Sequence, residues 1–377
     1  MKQYESWAHK IQALSYAADK RGWRVQIIDS PSSPTEIQRL ISYWNPHGIV
    51  IVETPPWNST INKSAFCGVP TVFVDCDPDK VPEGIPSIRH SASKIVEMAV
   101  KEFLSLGCRD IAYVDWYESV HWSQDKINSL KEILALHGMT PRIFNASDWG
   151  KNSTSRLRKL GKWLQSLPNE CGVLVVNDTI AEWVINVAGK HKIDIPNQLA
   201  VIGVNYDQDI AERIKPTLST FMLNFVASGE FAMSTIDKGN PCETHIINIA
   251  PIKIIRRQSS RRMKRMDSEV EKAVEKIRIE ACSGLKAKDV IAEFSCSRRF
   301  AEKRFREITG HSILEEIISV KLERLTELLI NPRLSLGTLA SRCGFQSEIV
   351  MRRQFKARFG KTMGEWRKSY LRREPIS

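Results

Sequence analysis

Several familiar signals are missing from this chain. Its eight cysteines (Cys67, Cys76, Cys108, Cys171, Cys242, Cys282, Cys296 and Cys343) form no C-x-x-C pair and no His/Cys cluster at zinc-ligand spacing. They lie scattered in apolar or small-residue surroundings, as reduced buried thiols do. No G-x-G-x-x-G follows a strand-like run, so a nicotinamide or flavin would lack its usual phosphate loop. No stretch supplies the ~20 apolar residues that a bilayer span requires. The opening MKQYESWAHKIQALSYAADKRG is polar and charged, without the apolar core of a signal peptide. These absences point to a cytoplasmic protein with no metal, no cofactor and no membrane partner.

Charge is present, and it is unevenly placed. From Arg256 to the end there are 29 Lys and Arg against 16 Asp and Glu, while the first 255 residues hold 26 against 27. The whole basic excess therefore sits in the last third. Such asymmetry suggests a neutral domain joined to a polyanion-binding one.

Residues 1–257 alternate short apolar runs with amphipathic helical patterns. Strands are predicted at 23–29, 48–53, 70–75, 110–115, 172–178 and 199–204. Each is Val- and Ile-rich and nearly continuous in apolar character, as in a parallel sheet covered on both faces. A helix is predicted over 92–107, ending at Gly107. This is the doubly wound α/β class. Residues 258–267, basic and poor in apolar side chains, are expected to be a linker.

Residues 268–377 read as all-helical, with seven helices near 268–282, 287–294, 297–309, 312–330, 335–343, 347–359 and 362–370. Two segments repeat at an offset of fifty residues. Phe305 matches Phe355, Arg306 matches Lys356, Gly310 matches Gly360 and Lys303 matches Arg353. Each follows a short helix and a polar turn, so two helix-turn-helix units are expected, at 287–309 and 335–359. The second turn reads about two residues longer than the first. Apolar stripes are expected at Ala301, Phe305 and Ile308, and at Met351, Phe355 and Phe359. The opposite faces carry Arg298, Arg299, Glu302 and Lys303 in one unit, and Arg352, Arg353 and Lys356 in the other. Ser297 and Ser347 stand where an N-cap would, and Gln346 and Glu348 flank Ser347. The intervening 19 residues at ~1.5 Å each make a rod of roughly 28 Å, close to the ~34 Å between successive major-groove faces.

The run LASRCGFQSEIVMRRQFKARFGKTMGEWR closely resembles the second helix-turn-helix of the AraC/XylS regulators. Shared features are the Gly-Phe turn, Ser347, Phe355-Lys356, Gly360-Lys361-Thr362 and the closing Trp366-Arg367. Met351 and Met363 stand where that family usually has Phe and Pro, which are apolar exchanges. Phe300 falls at a position often polar and groove-facing. The stretch from 173 to 221 resembles the periplasmic-binding-protein-like sensor of the LacI/GalR repressors. A strand there ends at Asn177-Asp178, and another at Asn205-Tyr206.

A sensor of that kind followed by an AraC-type domain implies a sugar-responsive transcription activator, not an enzyme. Its implied partners are double-stranded DNA, a small sugar, RNA polymerase and a second copy of the chain. The resemblance places effector contacts at Glu53, Trp122, Lys126, Asp178, Asn205 and Tyr206. Asp178 is either such a contact or merely the cap of the following helix. Lys126 replaces an expected Arg, Asn205 an Asp, and His90-Ser91 an Asp-Asn pair. The first, central strand of the sensor fold is not found, so the start is expected upstream or the first lobe degenerate. A sensor that no longer binds sugar and serves dimerisation remains an alternative. An AraC-type head on a repair methyltransferase would need a zinc-thiolate cluster that is not seen.

Overall fold

The computed structural model describes residues 4–28, 31, 33–52, 62–239, 246–261, 268–329 and 334–371. Two compact units emerge, the main body of the first being Met1–Arg262 and the second Met263–Arg373.

The first unit has two lobes, each built on a sheet. Lobe one contains α1 (Tyr4–Asp19), α2 (Pro34–Trp44), β1 (Ile49–Val52), β2 (Thr71–Val74) and β3 (Ser87–His90). Lobe two follows with α3 (Ala92–Ser105), β4 (Asp110–Val114), α4 (His121–Leu136), β5 (Arg142–Phe144), α5 (Ser153–Ser166), β6 (Cys171–Val175), α6 (Asp178–Lys190), β7 (Leu199–Val204), α7 (Gln208–Arg213) and β8 (Ser219–Met222). The chain then returns to lobe one with α8 (Phe225–Asp237) and β9 (Ile246–Ile249), and closes on lobe two with β10 (Lys253–Ile255). The lobe-one sheet is parallel, in the order β1-β2-β3-β9. The lobe-two sheet runs β10-β8-β7-β6-β4-β5, with only β10 antiparallel.

Every residue of β6 and β7 is buried, which explains their unbroken apolar composition. Packing is close enough to require glycine at one point: a Cβ on Gly172 would lie 2.4 Å from the Phe103 ring. Ser91 starts α3 by accepting a hydrogen bond from Lys94 N, and Gly107 turns the chain away with φ +74°.

Residues 23–28, predicted as a strand, form none, and 24–28 are exposed. The reason is nonlocal. Among the described residues β1 pairs only with β2, and residues 23–28 do not pair with its outer edge, so this apolar run gains no ladder. The linker expectation also needs correction. Gln258–Ser260 belong to lobe two: Ser259 N–H donates to Thr217 O, Val201 N–H donates to Ser259 O, and Gln258 Oε1 accepts from Thr217 N. These polar residues substitute for ladder bonds beside β7 and β8, which composition alone did not reveal. Residues 262–267 lie outside the described residues.

The second unit is helical: α9 (Ser268–Glu280), α10 (Ala287–Ile291), α11 (Arg298–Thr309), α12 (Ile313–Leu328), α13 (Leu336–Arg342), α14 (Glu348–Phe359) and α15 (Met363–Leu371). It holds two small cores. One gathers Val270, Ile277, Phe305 and Ile317; the other gathers Leu325, Leu339, Met351 and Phe355. Helix α12 contributes to both. Its 16 residues make a rod of about 24 Å, shorter than expected from the sequence.

Candidate functional site

Each core of the second unit supports one helix whose opposite face is basic. In α14, Met351 and Phe355 are fully buried, while Arg352, Arg353 and Lys356 are exposed. In α11, Ala301 and Phe305 are fully buried, and Arg298, Arg299 and Lys303 are exposed. Ile308, expected in the buried stripe, is 40% exposed because it lies on the turn beyond the supporting core. The turns are 292–297 and 343–347, so the second is not the longer. Helix α10 stops at Ile291 without a glycine, whereas α13 runs to Arg342 and turns at Gly344, φ +67°. Ser347 accepts from Val350 N at 3.3 Å; Ser297 occupies the cap position of α11 without a side-chain cap bond. Arg298 pairs with Glu302 at 3.0 Å and Arg352 with Glu348 at 3.5 Å, along their own helices. Gln346 and Phe300 are exposed, the latter at 55%. An exposed row of guanidinium and ammonium groups on a helix held rigidly from behind is suited to a nucleic-acid phosphate backbone.

The first unit presents a second site at the carboxyl ends of its strands. Three aspartates stand there: Asp75 after β2, Asp115 after β4 and Asp178, which opens α6 just after β6. Asp75, at φ +52°, accepts from His90 Nδ1 at 3.1 Å and pairs with Lys10 at 3.1 Å. Burial opposes its ionisation, but His90 and Lys10 outweigh that and hold the carboxyl far below the usual range. Asp115 is fully buried and takes Trp116 N, Ser123 Oγ, Ala146 N and Gln124 Nε2. Asp178 accepts from Thr220 Oγ1 at 2.6 Å and Asp207 N at 2.7 Å; burial nonetheless pushes its pKa up to about 8.

Lys126 enters from α4 in lobe two. Burial lowers its pKa to about 8, while Asp75, Asp125 and Asp115 pull it back up. The charges of Asp75 and Arg89 likewise reach His121, so the end of the lobe-one sheet faces the start of α4 across a cleft. Trp116, Tyr117, Trp122 and Trp183 form a connected aromatic wall on the lobe-two side.

Two family patterns match the chain: a periplasmic binding protein-like domain over residues 100–260 and a helix-turn-helix domain over 290–369. The xylose operon regulatory protein of Escherichia coli K12 is 27% identical over 300 residues, covering 76% of this chain and 75% of its own. The Msm operon regulatory protein of Streptococcus mutans is 35% identical over 86 residues, covering 23% of this chain and 31% of its own. A solved structure of the xylose-binding transcription activator XylR superposes with a TM-score of 0.56 at 22% identity, covering 98% of this chain and 96% of that one. The chain thus carries the domain pair of an AraC-type regulator with a periplasmic-binding-protein-like sensor. Its sensor is periplasmic-binding-protein-like, and the regulator binds DNA through the helix-turn-helix domain.

The sensor cleft contains some of the expected contacts and not others. Glu53 lies outside the described residues. Trp122 and Lys126 sit together, the Lys126 ammonium 5.0 Å from the Trp122 ring centre. Asn205 and Tyr206 turn at φ +104° and +59°, with Arg257 over the Tyr206 ring. Asp178 is not the cap of α6; Asn177 is, accepting from Ile180 N. Sequence reading missed Lys10, Asp75 and Asp115. For the two aspartates the signal was available, since each follows a largely apolar strand as Asp178 nearly does. Lys10, on the first helix, had no such marker.

Proposed function

We propose that this regulator controls transcription of sugar-catabolism genes, as an activator, in response to a small sugar-derived effector held between the lobes of its sensor. Relatives aligned over three quarters or more of the chain are named for xylose, so a xylose-like skeleton is the reference case. In this reading the chain acts in the cytoplasm as a homodimer, contacts RNA polymerase and performs no catalysis. The DNA contacts come from Ser297, Arg298, Arg299, Glu302 and Lys303 in the first head, and from Gln346, Ser347, Glu348, Arg352, Arg353 and Lys356 in the second. Arg353 and Lys356 hold phosphates; Gln346 and Arg352 reach base edges. In the sensor, Trp122, Lys126, Asn205 and Tyr206 meet the effector along with Glu53, and Asp178 positions the loop at Asp207.

The supporting observation is the pair of basic recognition helices on matched buried supports, Phe305 and Phe355. The test is duplex binding by the full chain between 50 and 200 mM salt. Affinity should fall by about 10³-fold or more if both heads neutralise phosphates. A flat response refutes the assignment. A second reading, in which the sensor no longer takes a neutral sugar, is favoured by the satisfied state of its carboxylates.

A further inference from the structure

Each sugar hydroxyl both donates and accepts, so a site for a neutral sugar needs free acceptors, usually carboxylate oxygens, among its donors. In this cleft the carboxylates at the strand ends are already engaged. Asp75 holds His90 and Lys10. Asp115 holds two backbone N–H groups, a serine and a glutamine. Asp178 holds Thr220 and the Asp207 N–H.

Among the described residues, buried donors without an acceptor remain. Lys126 is 6% exposed. Its ammonium makes one hydrogen bond, to the Trp122 carbonyl at 3.1 Å, and lies beside the Trp122 ring. Among the described residues no carboxylate lies within ion-pair distance of it; the acidic groups acting on it do so from farther away. At the end of β3, Arg89 Nε is likewise buried without an acceptor, and His90 Nε2 is buried without a hydrogen-bond partner. A buried ammonium with unmet donors is costly unless an anion arrives to meet it.

We propose that the effector is an acidic sugar, bearing a carboxylate or a phosphate, and that Lys126 receives its anionic group. This rests on the reading of the cleft as the effector site. An anionic group would supply the acceptor that the Lys126 ammonium lacks among the described residues.

The test uses the full-length protein at pH 7 and calorimetric titration. Its probes are D-xylose, D-xylonate, D-xylulose, D-xylulose 5-phosphate, D-glucose, D-gluconate, D-glucose 6-phosphate and inorganic phosphate. One sugar anion should bind at least about tenfold more tightly than its neutral parent, the margin of a charge-assisted hydrogen bond. The aldonate and phosphate arms identify which anionic group is recognised. Lys126→Met should erase that margin, and Lys126→Arg should keep most of it. Thermal melting without ligand should place Lys126→Met at or above the wild-type midpoint, which separates lost binding from lost folding. The inference is overturned if a neutral sugar binds as tightly as its anions, if Lys126→Met keeps the margin, or if inorganic phosphate binds as tightly as the sugar anions. Neutral-sugar binding would leave the effector reading standing; no binding by any sugar would remove both.

Discussion

In the second head Ser347 caps α14 with its side chain, and the turn before it is fitted against neighbouring backbone. Lys321 donates to Gly344 O at 2.7 Å, and Gly344 presses against the Cys282 backbone. The first head has neither device. Its turn is held by a charged side chain: Glu269 of α9 accepts from Ser295 N at 3.0 Å and pairs with Arg304 at 2.6 Å. Two copies of one plan thus reach similar recognition helices by different bracing, one by backbone fit and one by exposed and half-buried charge. Charge bracing is screened by salt and backbone fit is not, so the two heads should respond differently to the same perturbations.

The largest effect would test whether the two supports are equivalent. Phe305→Ala and Phe355→Ala should each cost about 3–5 kcal/mol, since both rings are fully buried. The measurement is the urea midpoint of the unfolding transition that duplex DNA shifts. A cost confined to one head would show that the cores are not equivalent. Next comes Gly344→Ala, expected to cost about 3 kcal/mol: its φ is +67° and the new Cβ would lie 2.5 Å from Cys282 O. Gly360→Ala shares the positive φ but meets nothing within 4 Å, so about 1 kcal/mol is expected. Equal losses would deny the fitted turn.

A third contrast concerns DNA. Arg353→Ala should weaken binding to all duplexes alike and reduce the slope of log affinity against log salt by about 1. Gln346→Ala should instead change which duplex is preferred. The smallest effect compares the caps. Ser347→Ala should cost about 1 kcal/mol, and Ser297→Ala much less, because its side chain makes no cap bond.

Much of this was legible in local pattern. Continuous Val and Ile runs located β4, β6 and β7, since burial on both faces leaves a mark on every residue. The fifty-residue repeat located both heads, because each recognition helix must hide Phe305 or Phe355 and expose arginine. Features that depend on a distant partner were not legible. Residues 23–28 have the composition of a strand but no neighbour to make them one. Ser259 looks like linker serine, yet it completes hydrogen bonds with Thr217 and Val201. The cleft was half legible: Trp122 and Lys126 were named, but that Asp75 and Asp115 are saturated by protein donors is a matter of three-dimensional neighbours.

The stitching of Gln258–Ser260 into the lobe-two sheet has a mechanical consequence. The tether to the DNA-binding unit does not start from a loose end of the sensor; its anchor is fastened to the same strands that carry Asn205 and Tyr206. Any hinge motion of lobe two relative to lobe one must carry that anchor with it.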